Sequence, residues 1–328
     1  MADWYISPTG SDSGGNGTLA SPYASLAKVY SVAAANDQCK VLPGTYDCTA
    51  AATATVKVHL LGCDGAGNLA AYADRPVLRA TASIANLLDL ASIGGDLRRI
   101  VFDGNNLTTT SAVTAFAGNS ALWDCDFVNS LGYGCYKMAA ATRCRFYNNA
   151  GVGANWSSSG TAYWCVAHHN GSHGLVVTHS VGCVAYCNGG DGFSDYGITA
   201  GGHRHFCVAA RNASAGIRAG GAPSIFGCIA AANGVGFGGS VTSAAGIDGN
   251  VSWGNTNADA ITIDDTADPQ FVDLNGNPPD LRLKPTSPYY AYDFGILTLL
   301  MGANVPPQAA TGGGVRRRGG WSGGFNQV

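Results

Sequence analysis

Hydrophobic positions along this chain come in short runs rather than long amphipathic stretches. Cys39 to Leu42, Val56 to Leu61, Val77-Leu78 and Ile100 to Phe102 each hold a few apolar residues between polar or glycine-rich turns. Runs of this length predict strands. The best helix candidate follows Ser21-Pro22 and covers Tyr23 to Asn36, with Tyr23, Leu26, Ala27, Tyr30 and Ala34 on one face. From residue 120 onward the short runs become periodic.

Six cysteines, Cys125, Cys144, Cys165, Cys183, Cys207 and Cys228, recur at intervals of 19, 21, 18, 24 and 21 residues, and Val251 stands in the same place 23 residues later. Each is followed four or five residues on by asparagine: Asn129, Asn148, Asn170, Asn188, Asn212, Asn233 and Asn255. In six copies a glycine then precedes an apolar residue, at Gly132, Gly151, Gly174, Gly192, Gly216 and Gly236. A repeat of about 20 residues that stacks like positions on like describes a solenoid. The cysteine would point inward as a small apolar rung, the asparagine would turn the chain in a left-handed conformation, and the glycine would restart the next strand. About ten coils spaced ~4.8 Å apart make a rod near ~50 Å long, with the helix as an N-terminal cap.

Composition agrees. All 21 acidic residues are Asp, there is no Glu, and 47 residues are Gly, which disfavours a helical protein. The net charge of -3 argues against a basic nucleic-acid-binding domain, and 46% hydrophobic residues can form a core. The 11 cysteines show no zinc-finger spacing and are expected to be reduced thiols. No signal peptide and no membrane-spanning run are apparent, so folding in a host cytoplasm is expected.

The segments Trp4 to Asp12, Ser21 to Leu26, Leu42 to Tyr46, Asp268 to Asp273 and Leu281 to Pro288 resemble the beginnings and ends of proteins of the pectate-lyase-like superfamily. This resemblance implies an all-β, right-handed parallel β-helix. The expected organisation is an N-terminal capping region (1–38), the β-helix (39–290) and a C-terminal extension (291–328). The superfamily holds polysaccharide lyases, hydrolases, tailspikes and non-enzymatic virion proteins, so the resemblance leaves function open. A lyase of this fold is implied to carry a calcium-binding carboxylate cluster with a basic residue, and a hydrolase two or three carboxylates.

The coils are short of such groups. Residues 120–262 hold only Asp124, Asp126, Asp191, Asp195, Asp248 and Asp259. Repeat alignment sets Asp124 over Arg143 and Asp126 over Arg145, an arrangement for cross-strand ion pairs. Six of the seven histidines fall between residues 168 and 205. Aligned on the cysteines, His179 stacks on His203; aligned on the glycines, His173 falls beside Asp191. His173, His179, Asp191 and His203 are therefore the alternative catalytic set. Positions flanking the cysteine rungs, Trp164, Val166, Val184, Phe206, Val208 and Ile229, form an apolar stripe that predicts lateral association, with a homotrimer as the expected assembly.

The chain closes on a Gly-rich arm carrying Arg316, Arg317, Arg318, Trp321 and Phe325, a set suited to docking on a partner. Together these features point to a non-enzymatic structural protein of a phage-like virion, such as a capsid decoration or cement protein. The arm would bind other virion subunits, the major capsid protein among them. The alternative is a polysaccharide lyase or glycoside hydrolase, including a tailspike-like depolymerase, with a glycan as ligand. No cofactor or metal is expected, and neither membrane nor nucleic acid is the expected partner.

Overall fold

The computed structural model describes residues 1–288 apart from 92, 116–119, 157–159, 196–201, 221–222, 240–246, 260–265 and 277–278. Two units are distinguished, Met1–Pro269 and Gln270–Val328. The first is an all-β parallel solenoid. Three parallel sheets run along it, of eleven, ten and nine strands, here called sheets 1, 2 and 3. Each coil contributes one strand to each sheet in turn. The first complete coil is Asp37–Val41, Thr45–Cys48 and Ala52–Thr53; the ninth is Ser224–Phe226, Ile229–Ala231 and Val235–Gly238. Strand Asp3–Ile6 adds to sheet 1 before the first coil, and Ile247–Asp248 and Val251–Trp253 begin a tenth. In the second unit, Phe271–Asp273 and Asp280–Leu283 pair as an antiparallel hairpin.

The helix is shorter than its apolar periodicity predicts, covering Leu26–Val32. Ser25 is the N-cap, its side chain accepting from the Lys28 amide, and the chain is extended again at Ala33. Tyr23 is instead drawn into a parallel bridge with Ile6. Leu26, Val29 and Tyr30 are buried in the same core as the first coils.

Two left-handed residues bend each regular coil. Between sheets 1 and 2 they are Arg99, Asp124, Arg143, Trp164, Gly182, Phe206, Gly227 and Gly249, with φ of 51–64°. Between sheets 2 and 3 they are Asn129, Asn148, His169, Cys187, Arg211, Ala232 and Gly254, with φ of 52–61°. A non-glycine residue pays about 1–2 kcal/mol for this conformation, so the corners need compensation from the side chains stacked inside them.

At the first corner the cysteines supply it. All six ladder thiols are buried and free. Each Sγ donates to the carbonyl two residues earlier, at 3.3–3.5 Å, from Trp123 through Thr142, Tyr163, Val181 and His205 to Phe226. The rung is therefore a weak hydrogen-bond donor as well as a small apolar group. The seventh rung is Asn250 rather than Val251, because Ile229 is the Cα partner of Val251. Asn250 takes over the task with its amide, donating to Ile225 O at 2.8 Å and accepting from the Cys228 amide at 2.9 Å.

The asparagines act differently from expectation. Only Asn129 and Asn148 occupy left-handed corners; the stacked column is Asn149, Asn170, Asn188, Asn212, Asn233 and Asn255, one residue after the bend. Each Nδ2 donates to a carbonyl of the preceding coil, and the first five also donate to the next Oδ1 at 2.9–3.2 Å, while Asn255 at the end donates to Ser252 Oγ. The turn is thus held by a side-chain ladder whose members need stacking more than a left-handed φ. The glycine column shifts accordingly. Register places Gly134 and Gly153, not Gly132 and Gly151, in line with Gly174, Gly192, Gly216 and Gly236. A Cβ at any of the six would lie 2.6–2.8 Å from a ladder amide.

Candidate functional site

The coil carboxylates are where chemistry would have to reside, and three of them, Asp124, Asp126 and Asp191, are bound by arginine, whereas Asp195 accepts the Gly220 amide and Asp259 the Phe237 amide. Asp126 starts a strand of sheet 2 and is the Cα partner of Arg145. Its side chain is almost fully buried. It accepts from Arg145 and, bidentately, from Arg75 at 2.8 and 3.0 Å, with the Tyr72 hydroxyl at 3.0 Å. Arg75 lies over the Tyr72 ring at 3.7 Å. Asp124, at the neighbouring left-handed corner, accepts from Arg143 at 2.7 and 2.8 Å and faces Arg99 at 3.5 Å. Burial acts to raise both carboxyls. The surrounding guanidiniums outweigh it and hold both below the ordinary aspartate range.

Asp191 repeats the arrangement near sheet 3. It is buried, bound by Arg218 Nε at 2.7 Å, and accepts the Ala215 amide at 2.9 Å. Burial again pushes upward and is outweighed by Arg218 and the amide, so the carboxyl is held low. His173 Nδ1 lies 3.4 Å from Asp191 Oδ2, but the Asp191 backbone amide donates to that same Nδ1 at 3.0 Å. With Nδ1 accepting, this is not the orientation in which a carboxylate takes the Nδ1 proton of a catalytic histidine. Replacing Asp191 with Ala is expected to cost about 1–3 kcal/mol by leaving the buried Ala215 amide without its acceptor, whereas His173→Ala should cost under about 1 kcal/mol. Thermal unfolding of the two variants checks the difference.

The other two residues of the alternative set lie elsewhere. His179 and His203 are Cα partners in sheet 1, their rings stacked at 4.6 Å and 7°. His173 with Asp191 and His179 with His203 are therefore two pairs in different parts of the coil, not one cluster. His168 lies on sheet 2, stacked between Tyr147 and Tyr186 at 5.0 and 4.8 Å. Among the described residues no group of three or more His, Cys, Asp or Glu is arranged to hold a metal.

The apolar stripe divides into two rows. Val166, Val184, Val208 and Ile229 are successive Cα partners on sheet 2. All four are buried, at 2–8% exposure, so they do not present an open face. Trp164 and Phe206 belong instead to the left-handed corners; Trp164 is exposed beside Tyr163, and Phe206 meets exposed Phe226 edge-on at 5.3 Å. The alternation reading treated corner and strand as one outward phase, which the bend between them does not preserve. Arg316, Arg317, Arg318, Trp321 and Phe325 lie outside the described residues.

Two arginines escaped sequence reasoning. Arg75 reaches Asp126 across 51 residues, with no periodic signal to announce it. Arg204 carried one. Three positions before each ladder cysteine the chain reads Leu122, Ala141, Ala162, Ser180, Arg204 and Ile225, an inward phase interrupted by one charge. In the structure Arg204 is fully buried. It donates to the carbonyls of Thr178, Val177, His203 and Ser194, and burial lowers its basicity.

With three parallel sheets, cornered by stacked thiols and amides, the comparison with solved structures becomes informative. A pectate lyase, Pel9A, superposes with a TM-score of 0.63 at 15% identity, covering 88% of this chain and 90% of that one. The fold is that of the pectate-lyase-like β-helices. A second β-helix, ORF18 of Geobacillus virus E2, gives 0.53 at 13% identity, over 74% of this chain and 55% of that one. The A-module of the Azotobacter vinelandii mannuronan C-5 epimerase AlgE6 gives 0.48 at 16% identity, over 68% and 67%. No protein-family model and no curated protein matches the sequence. The β-helix is thus shared with a pectate lyase and with a viral protein, and at these identities the likeness is one of fold.

Proposed function

We propose that this chain is a non-enzymatic structural subunit of a phage-like virion. The β-helix is its rigid body, and residues 305–328 tether it to other virion subunits such as the major capsid protein. The observation that carries this reading is the state of the carboxylates. Asp124, Asp126 and Asp191 are each closed off by arginine and held in the ionised form. Cleaving a glycosidic bond with a carboxyl acid calls for the reverse, a carboxyl whose proton is retained near neutral pH. The use of the same fold by a protein of Geobacillus virus E2 is consistent with a viral setting. A homotrimer is the proposed assembly, with exposed Trp164 and Phe226 and half-buried Phe206 as the apolar residues available to it.

The test is mass spectrometry of purified particles, comparing the full chain with one lacking residues 305–328. The full chain should appear in particles, and the truncated chain should fold but be lost from them. Equal incorporation would remove the role of the arm. Depolymerisation of a host polysaccharide by the purified protein, abolished in His173→Gln, would replace the structural reading with the enzymatic one.

A further inference from the structure

Six of the seven histidines lie in three consecutive coils, from the strand Thr161–Tyr163 to the strand Ala215–Arg218, and five of them, His168, His169, His179, His203 and His205, gather on sheets 1 and 2 or the corner beside them. On sheet 1, His179 and His203 are stacked at 4.6 Å, with His205 edge-on to His203 at 6.3 Å and its Nε2 3.0 Å from Ser224 Oγ. On sheet 2, His168 is sandwiched between two tyrosines, and its Nδ1 lies 2.9 Å from His169 Nδ1. A hydrogen bond between two imidazole nitrogens requires one of them to keep a lone pair. Protonating both places two N–H groups face to face, and protonating both His179 and His203 stacks two cations.

The surroundings offer little relief. Among the described residues none of the five forms an ion pair with a carboxylate. Around His168 stand Tyr147, Tyr186, His169, Arg145 and Asp126, the last already bound by Arg75 and Arg145. His169 faces Arg211; His179 faces His203, Arg204 and His205; His205 faces Cys207 and His203. The other two histidines contrast with these. His59 Nδ1 lies 3.1 Å from Asp96 Oδ2, and His173 Nδ1 lies 3.4 Å from Asp191 Oδ2, so each has a carboxylate beside the ring.

We propose that these three coils form an acid-sensitive segment of the rod, which loosens on protonation of its unpaired histidine rows while the preceding coils stay closed. The direction of titration agrees. Burial, joined by the neighbouring cations, lowers His168 to about 4 and holds His169, His179 and His205 below the ordinary value of 6.5. A depressed folded-state value means the stabilisation is complete above 6.5 and is lost as pH falls toward the folded-state values. The aspartates that pair with arginine remain ionised across most of that window.

Hydrogen exchange of the full chain, read by mass spectrometry at about pH 7 and pH 4.5 and corrected for intrinsic rates, tests this. Peptides from residues 161–218 should exchange at least about tenfold faster at the lower pH, with those from 37–155 changing by less than about twofold. His203→Gln and, separately, His168→Phe should each reduce the acid response of their own strands. Uniform acceleration along the rod, or an unchanged response in both variants, would overturn the proposal.

Discussion

Replacing Gly192 with alanine is expected to lower the stability of the rod by about 3–5 kcal/mol, the sum of an overpacking cost and broken ladder bonds. The added Cβ would lie 2.7 Å from Asn212 Nδ2, 2.7 Å from the Gly216 carbonyl and 3.2 Å from Ala185 Cβ. None of these can withdraw cheaply, because Asn212 is held by Ala185 O and Asn233 Oδ1 in neighbouring coils. Moving it disrupts the turn above and the turn below. Gly65 is the control: a Cβ there meets nothing within 4 Å, and Gly65→Ala should be neutral within about 0.5 kcal/mol. Urea unfolding of both variants measures the contrast, and a small effect at Gly192 would show that the asparagine column yields more readily than its bonding implies.

The second large effect is expected at Asp126. Asp126→Asn removes the only carboxylate bonded to Arg75 and Arg145 among the described residues, leaving a nearly buried guanidinium without its counter-charge; breaking a buried pair in this way costs about 3–5 kcal/mol. Arg143→Ala, at the neighbouring corner, removes a half-exposed partner of Asp124 and should cost no more than about 1 kcal/mol. The pH dependence has a definite sign. Because Asp126 titrates below the ordinary range when folded, its contribution is present above the unfolded value and is lost as pH falls through the folded one. In Asp126→Asn that acid-side loss should shrink, which a urea series across acidic pH would register.

These two sites differ in how readable they were. The partnership of Asp126 with Arg145 follows from repeat alignment alone, because a fixed coil length sets equivalent residues one rung apart. Its partnership with Arg75 does not, since Arg75 approaches from the segment after the short helical turn Tyr72–Asp74, outside the repeat phase. The glycine and asparagine columns were visible as a composition signal but partly misregistered. Asn148 and Asn149 are adjacent, and one bends the chain while the other joins the ladder. Residue type cannot separate these tasks, because asparagine suits both a left-handed φ and an amide stack.

The candidate chemistry shows the same division. Sequence spacing brought His173 near Asp191 and His179 onto His203, and those neighbours are present. Whether a neighbour is a catalyst depends on which atom faces which and on what else binds the carboxylate. Arg218, reaching Asp191 over 27 residues, decided that question in three dimensions.

By itself, the sequence determined that this chain is a stacked parallel solenoid. A period near 20 residues with recurring Cys, Asn and Gly can bury its apolar positions only by laying coil upon coil. Only the tertiary structure decided which of two adjacent residues bends and which stacks, which apolar positions are covered, and how each carboxylate is neutralised. The reason is physical: period and composition are carried by the local chain, whereas register, burial and charge pairing depend on groups that meet only after the coils close.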